Sequence, residues 1–158
     1  MAYNGHGPTV LAAVANLITA IGAQPQCVSL PGFAFGLVRG TPLNTQPIDD
    51  AIVIRRQTRT ITRLAMVGPV DNFGAFREDF IIPVEVFAYR GGDDAVTVET
   101  RAWSLVGAVE TAVRSDPTLA GAVLAAFPEF NEMTSDWDPD SSGRRASTVL
   151  DIHCWSEI

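Results

Sequence analysis

The stretch Phe76-Arg-Glu-Asp-Phe-Ile-Ile-Pro-Val-Glu-Val-Phe-Ala-Tyr89 decides the fold. Phe80, Ile82, Val84, Val86 and Ala88 recur every second residue and form one unbroken apolar face of an extended strand. The intervening positions, Ile81, Pro83, Glu85, Phe87 and Tyr89, mix apolar and polar groups, so this second face is not simply solvated. Pro83 has no N–H to give to a ladder, which predicts an edge strand or a bulge. An edge strand with a half-apolar outer face is a candidate contact surface. The alternative is that Phe87 and Tyr89 are covered by a loop of the same chain.

Toward the C-terminus, Gly91 and Gly92 make a turn, and Asp93 or Asp94 then caps a helix running to about Ser115. Val98, Ala102, Leu105, Val109 and Val113 give its buried stripe with Val106 alongside, and Glu99, Glu110, Arg101 and Arg114 fall on the polar side. Asp116-Pro117 ends it. Residues 122–127 and 131–136 are strand candidates bent at Pro128, and 138–143 is a turn cluster. In the strand 147–155, Leu150, Ile152 and Cys154 share one face, and Val149, Asp151, His153 and Trp155 share the other. These segments predict a long hairpin with a polar tip.

Toward the N-terminus, 68–75 and 42–47 read as loops. Residues 58–67 are rich in β-branched side chains, and in an extended chain Arg55, Gln57, Arg59, Ile61 and Arg63 share one side. Residues 51–54 are a short apolar strand, and 27–41 a short strand followed by an irregular Gly/Phe-rich segment. Residues 9–21 carry Val10, Val14, Leu17 and Ile21 at helical spacing, with Pro8 at the start and Gly22 at the stop. The order predicts an α+β fold in a single domain over 1–158. Its sheet is mostly antiparallel, two main helices pack on one face, and a long β-hairpin closes the chain.

Of the 158 residues, 47% are hydrophobic, enough for a packed core. No apolar run approaches the roughly 20 residues of a membrane span. The first residues lack the basic and apolar blocks of a secretion signal, so the chain is expected to fold in the cytoplasm without a membrane partner. Cys27 and Cys154 are expected there as reduced, buried thiols. The net charge of −7 argues against broad binding to the outside of DNA, though not against a pore through which DNA slides. All eleven basic residues are arginine, a bias of the kind that codon usage in a GC-rich genome produces.

No metal site is expected: His6, His153, Cys27 and Cys154 lack ligand spacing, and His153 and Cys154 point to opposite faces of a strand. No Lys-Ser/Thr follows the glycines 32, 36 and 40, and there is no Gly-x-Ser-x-Gly, so neither a cofactor nor a catalytic residue is assigned. Asp136, Asp138 and Asp140 alternate like half a calcium loop but lack its glycine and closing glutamate; they read as a solvated hairpin tip. Arg55, Arg59 and Arg63 are the strongest charge feature. They read either as a site for carboxylates or phosphate, with a protein partner favoured in an acidic chain, or as a solvated strand face.

Several segments taken in order resemble the tail terminator proteins of long-tailed phages. They are Arg77-Glu-Asp-Phe-Ile-Ile-Pro-Val-Glu-Val-Phe87, then Gly91-Gly92, then a helix through Arg101 and Glu110 into Asp116-Pro-Thr-Leu-Ala-Gly121, then the closing Arg145-Ala-Ser-Thr-Val-Leu-Asp-Ile-His-Cys154. The resemblance runs from Thr9 to the end and is best from Arg77 onward; the segments 31–40 and 68–76 have no counterpart. It implies a six-membered ring on the head-proximal end of the tail tube. Such a ring stops tube growth, docks a head-side connector or stopper protein, and lets DNA pass through its lumen without turnover, in the tail or neck of a virion. On this reading Arg55, Arg59, Arg63, Ile81, Phe87, Tyr89, Asp138, Asp140 and Trp155 are candidate subunit or partner contacts. Two alternatives stay open: another neck or tail component, namely a head-closure protein or tube subunit, and a small cytoplasmic ligand-binding domain or enzyme.

Overall fold

The computed structural model describes residues 6–40, 48–63, 76–139 and 142–157. Two helices, α1 (His6–Gly22) and α2 (Ala95–Ser115), pack on one face of a seven-stranded sheet. Its strands are β1 (Phe35–Arg39), β2 (Asp50–Ile54), β3 (Thr58–Arg63), β4 (Phe76–Gly91), β5 (Ala125–Phe130), β6 (Thr134–Asp138) and β7 (Gly143–Glu157). The fold is α+β as expected, and β6 and β7 form the closing hairpin. The predicted loops at 42–47 and 68–75, and the extension of β3 over 64–67, lie outside the described residues.

The long strands β4 and β7 form the antiparallel spine, in register from Arg77↔Glu157 to Gly91↔Gly143. Along one side of this spine lie β2 (with β1 beyond it) and β3; along the other lie β5 and β6. The β1–β2 pair is parallel, so the sheet is mixed. The predicted apolar face of β4 is buried throughout: Phe80, Ile82, Val84 and Val86 pack with Leu150, Ile152 and Cys154 of β7 beneath the helices, and Ala88 packs with Ala146 of β7 and with Val98 and Ala102 of α2. Val14, Leu17 and Ile21 of α1, with Leu105, Val109 and Val113 of α2, complete this core.

Of the two readings of Pro83, an edge strand or a bulge, the structure shows the bulge. β4 lies inside the sheet with β7 on one side and β2 and β3 on the other. The Pro83 carbonyl accepts from Arg55 N at 2.8 Å. The N and O of one strand residue point the same way, so the missing N–H faces the gap between β2 and β3 and takes nothing from the β7 ladder. That gap is a bulge. Ile54 opposes Val84 and Thr58 opposes Ile81, which leaves Arg56 and Gln57 together opposite Ile82. A matching insertion breaks the other margin, where Glu132 and Met133 together face Thr148, between Phe130↔Leu150 and Thr134↔Ser147. The predicted bend at Pro128 therefore falls four residues later, at Glu132; Pro128 sits within β5, an edge strand, where its missing donor is tolerated.

Helix α2 starts where an Asp cap was expected. Asp94 accepts from the Thr97 hydroxyl at 2.6 Å and from Thr97 N at 3.1 Å, which lowers its carboxyl pKa. The Asp116-Pro-Thr-Leu-Ala-Gly121 segment is a turn in which Leu119, Ala120 and Gly121 have φ of 48°, 55° and 80°. Left-handed backbone costs a non-glycine residue roughly 1–2 kcal/mol. Here it is held by the Asp116 carboxylate, which accepts from the Thr118 hydroxyl (2.6 Å) and Ala120 N (2.7 Å), and by Asn16 Nδ2 of α1 on Leu119 O (2.8 Å).

Candidate functional site

The alternation that buries one face of the spine leaves the other uncovered by any helix among the described residues. On this open face β4 contributes Asp79, Ile81, Pro83, Glu85, Phe87 and Tyr89, all half-buried, beside Arg145, Val149, Asp151, His153 and Trp155 of β7. Charges interleave with the apolar groups. Glu85 is paired with both Arg55 and Arg145, at 3.1 Å for the latter. The Arg145 guanidinium lies 4.3 Å from the Phe87 ring centre, and Arg77 lies 4.9 Å from that of Trp155 while bonding Asp79. His153 stacks on the exposed Phe127 at 5.0 Å, with Nε2 2.7 Å from Glu129 Oε2.

Of the predicted contact residues, Arg55, Ile81, Phe87, Tyr89 and Trp155 come together on this face. Arg59 does not. A single face for the arginines assumed an uninterrupted two-residue period, and the bulge at Arg56 and Gln57 reverses the phase. Arg59 thus stands opposite Phe80 on the helix-bearing side, 3.8 Å from Glu78. Arg63 follows Arg59 in phase, opposite Phe76. Asp138 ends β6 opposite Gly143, and Asp140 lies outside the described residues.

A recess of about 260 Å³ opens on the face between Thr58, Thr60, Arg77, Asp79, Phe127, His153 and Trp155. That is below the roughly 300–1,000 Å³ of small-molecule sites. Among the described residues no three His, Cys, Asp or Glu side chains converge as a metal set. Cys154 lies beneath the sheet, away from His153, and burial pushes its thiol up to about 12. Burial also raises Cys27, with the Arg101 charge opposing it.

The strongest polar cluster was not foreseen as a cluster. Asp50, fully buried at the start of β2, bonds Arg90 of β4 at 2.6 and 3.1 Å and Nε of Arg101 of α2 at 2.9 Å. Arg101 also donates to the carbonyls of Gln26 (3.0 Å) and Val28 (2.9 Å). Arg90 lies 3.8 Å from the centre of the Phe33 ring. Arg101 was expected on the polar side of α2. It is 8% exposed instead, because one acid and two carbonyls satisfy its guanidinium. The signal was present in phase: Arg90 continues the alternation of Phe80 to Ala88, and Asp50 that of Ile54 and Ile52. The cluster explains the Gly/Phe-rich segment, whose Phe33 and Phe35 cover the two guanidiniums. Its groups are satisfied among themselves, and it serves as a structural tie joining α2, β2, β4 and the chain after α1.

No protein-family model matches the chain, and no curated protein matches it. Among solved structures, a chain in the "Virion of native gene transfer agent (GTA) particle" is similar over 90% of this chain and 93% of its own, at 13% identity and a TM-score of 0.43. A likeness of that degree carries no argument about what this chain does.

Proposed function

We propose that this chain is a structural component of a phage-like virion. In this reading it assembles as a ring on the head-proximal end of the tail tube, stops the tube from growing, and offers the head-side connector a docking surface while DNA passes through the lumen. The observation that carries the reading is the order of elements: α1, strands, the long β4, the Gly91-Gly92 turn, α2, the Asp116–Gly121 turn and the β6–β7 hairpin follow one another as the resemblance to tail terminators requires. The open face gives the same support from chemistry. It offers apolar rings bordered by paired charges, which suits protein contact. An acidic chain lining a lumen would repel rather than retain DNA.

The test is electron microscopy of particles made in cells where this gene is deleted from the producing phage. Overlong tails of irregular length, unattached to filled heads, are the expected result. Tails of normal length beside unjoined heads would move the chain to the head-side connector, and intact virions would refute a virion role.

A further inference from the structure

The two long margins of the sheet carry opposite charge. From Arg39 to Arg63, on the β1, β2 and β3 side, the chain holds Arg39, Arg55, Arg56, Arg59 and Arg63. The only acids in that stretch are Asp49, which accepts from Ala34 N, and the buried Asp50; from β4, Glu85 pairs with Arg55 and Glu78 lies 3.8 Å from Arg59, so the margin's outward charge rests on Arg39 and Arg56. Arg39, Arg55 and Arg56 line one recess at the β2–β3 bulge, and Arg39, Arg56 and Arg59 are exposed. Between Ser115 and Gly143 the chain has no basic residue, and on the β5 and β6 side Glu129, Glu132, Asp136 and Asp138 follow one another. Glu132 and Asp136 are exposed. The nearest arginines do not neutralise them, since Arg144 is engaged by Asp93 and Arg145 by Glu85.

Among the described strands, β1 and β3 on one margin and β5 and β6 on the other have a single neighbour each, so both margins end in open backbone. Sheets guard such edges with charge, and two edges of the same sign would repel every copy of the chain. Here an edge meets repulsion only from its own kind. Basic against basic and acidic against acidic are both disfavoured, and the remaining pairing, basic against acidic, is attractive. That pairing is heterologous, and repeated heterologous contacts close into rings or grow into filaments. A two-fold dimer through either margin would set like charges face to face.

We propose that the partner of each margin is a second copy of this chain, docked head to tail, with the Arg39/Arg56 margin of one copy against the Glu132/Asp136 margin of the next. This assignment rests on the ring reading above and names the contact that builds the ring. Since the groups are exposed, the contact is screened by salt, with a Debye length of about 10 Å at 0.1 M and about 3 Å at 1 M.

The experiment reverses each margin in the full chain. One variant carries Arg39→Glu with Arg56→Glu, and the other Glu132→Arg with Asp136→Arg. Circular dichroism first confirms that both fold, and sedimentation equilibrium then follows association at low salt. Each variant alone is expected to lose self-association by at least about tenfold, because like-charged margins now face each other. The equimolar mixture, and a chain carrying all four substitutions, are expected to recover it. Single variants that associate like the wild type, or a mixture that associates no better than its parts, would overturn the proposal. So would a duplex oligonucleotide retained by the wild type and lost by Arg39→Glu/Arg56→Glu while no chain self-associates, which would assign the basic margin to nucleic acid. The two readings separate in the particle. Tails capped normally by the Arg39→Glu/Arg56→Glu chain overturn the margin contact and leave the ring, whereas virions that do without the gene overturn the ring itself.

Discussion

Replacing Asp50 by Asn removes one buried negative charge and leaves two guanidiniums facing a neutral amide. Asp50 is fully buried, and the side chains of Arg90 and Arg101 are 7% and 8% exposed, so water does little to screen what remains. Opposite unit charges about 4 Å apart attract by about 4 kcal/mol at an effective dielectric constant near 20. Asp50 makes two such pairs, offset by the desolvation of all three groups. Removing one partner of a buried ion pair costs about 3–5 kcal/mol, chiefly because the charge left behind has no compensation. For a chain of this size each kcal/mol lowers Tm by roughly 2–4 °C, so a loss of about 6–20 °C is expected. The assay is urea and thermal denaturation followed by far-ultraviolet circular dichroism. Exchanging all three residues for apolar ones, Asp50→Leu with Arg90→Met and Arg101→Met, should recover much of the loss, since a buried ionic cluster contributes less than its rupture costs. A single Asp50→Asn loss under about 1 kcal/mol would refute the claim that these groups are desolvated and mutually dependent.

Two further outcomes follow from the protonation of single groups. Hydrogen bonds from the Thr118 hydroxyl, then from Ala120 N and Thr118 N, hold the Asp116 carboxyl below its usual range. A depressed carboxylate stabilises the fold above the pKa it has when unfolded, and the contribution disappears as pH falls through its folded value. The Tm gap between the wild type and Asp116→Asn is therefore expected to be full at neutral pH and to close in acid, and a gap independent of pH would discount the carboxylate. Cys154, at about 12, holds a thiolate fraction at pH 8 on the order of a thousandfold below that of a free cysteine. A disulfide reagent should leave it unmodified in the native chain and label it at once in urea; rapid native labelling would show that the region beneath β7 opens.

The two-residue period of β4 and β7 was legible because these strands run unbroken with one face under the helices, so a single phase serves for fifteen paired positions. The helices were legible for the same kind of reason, and Asp94 behaves as the local cap that its place before Ala95 suggests. What failed was what depends on a neighbour. Pro83 read as either an edge or a bulge, and sequence could not choose, because it shows the missing donor without showing that it faces a gap. The arginine stripe read as one face because a one-residue bulge leaves no mark between Arg55 and Thr58 except the absence of an apolar side chain. Arg101 read as solvated because its acid is 51 positions away and its two carbonyls more than 70. Only the continued phase of Arg90 and Asp50 with their apolar neighbours hinted that charges were going inside.

The buried tie and the charged margin belong to one mechanical chain. β1 runs parallel to β2, a pairing no tight turn can make, so its position depends on how the segment after α1 is carried across the structure. Arg101 grips that segment at the Gln26 and Val28 carbonyls, Arg90 lies against Phe33, and Phe35 opens β1 directly opposite Asp50. The same strand ends four residues later at Arg39, in the recess with Arg55 and Arg56. Loss of the Asp50 charge thus acts twice: it destabilises the core, and it loosens the strand that delivers one of the three arginines of that recess on the basic margin. The bulge supplies the other two. By reversing the phase it sets Arg55 toward one side of the sheet and Arg59 toward the other, so the positive charge wraps the edge instead of paving a face. An edge charged on both sides meets a partner edge-on, which is the direction in which a sheet can be continued around a ring.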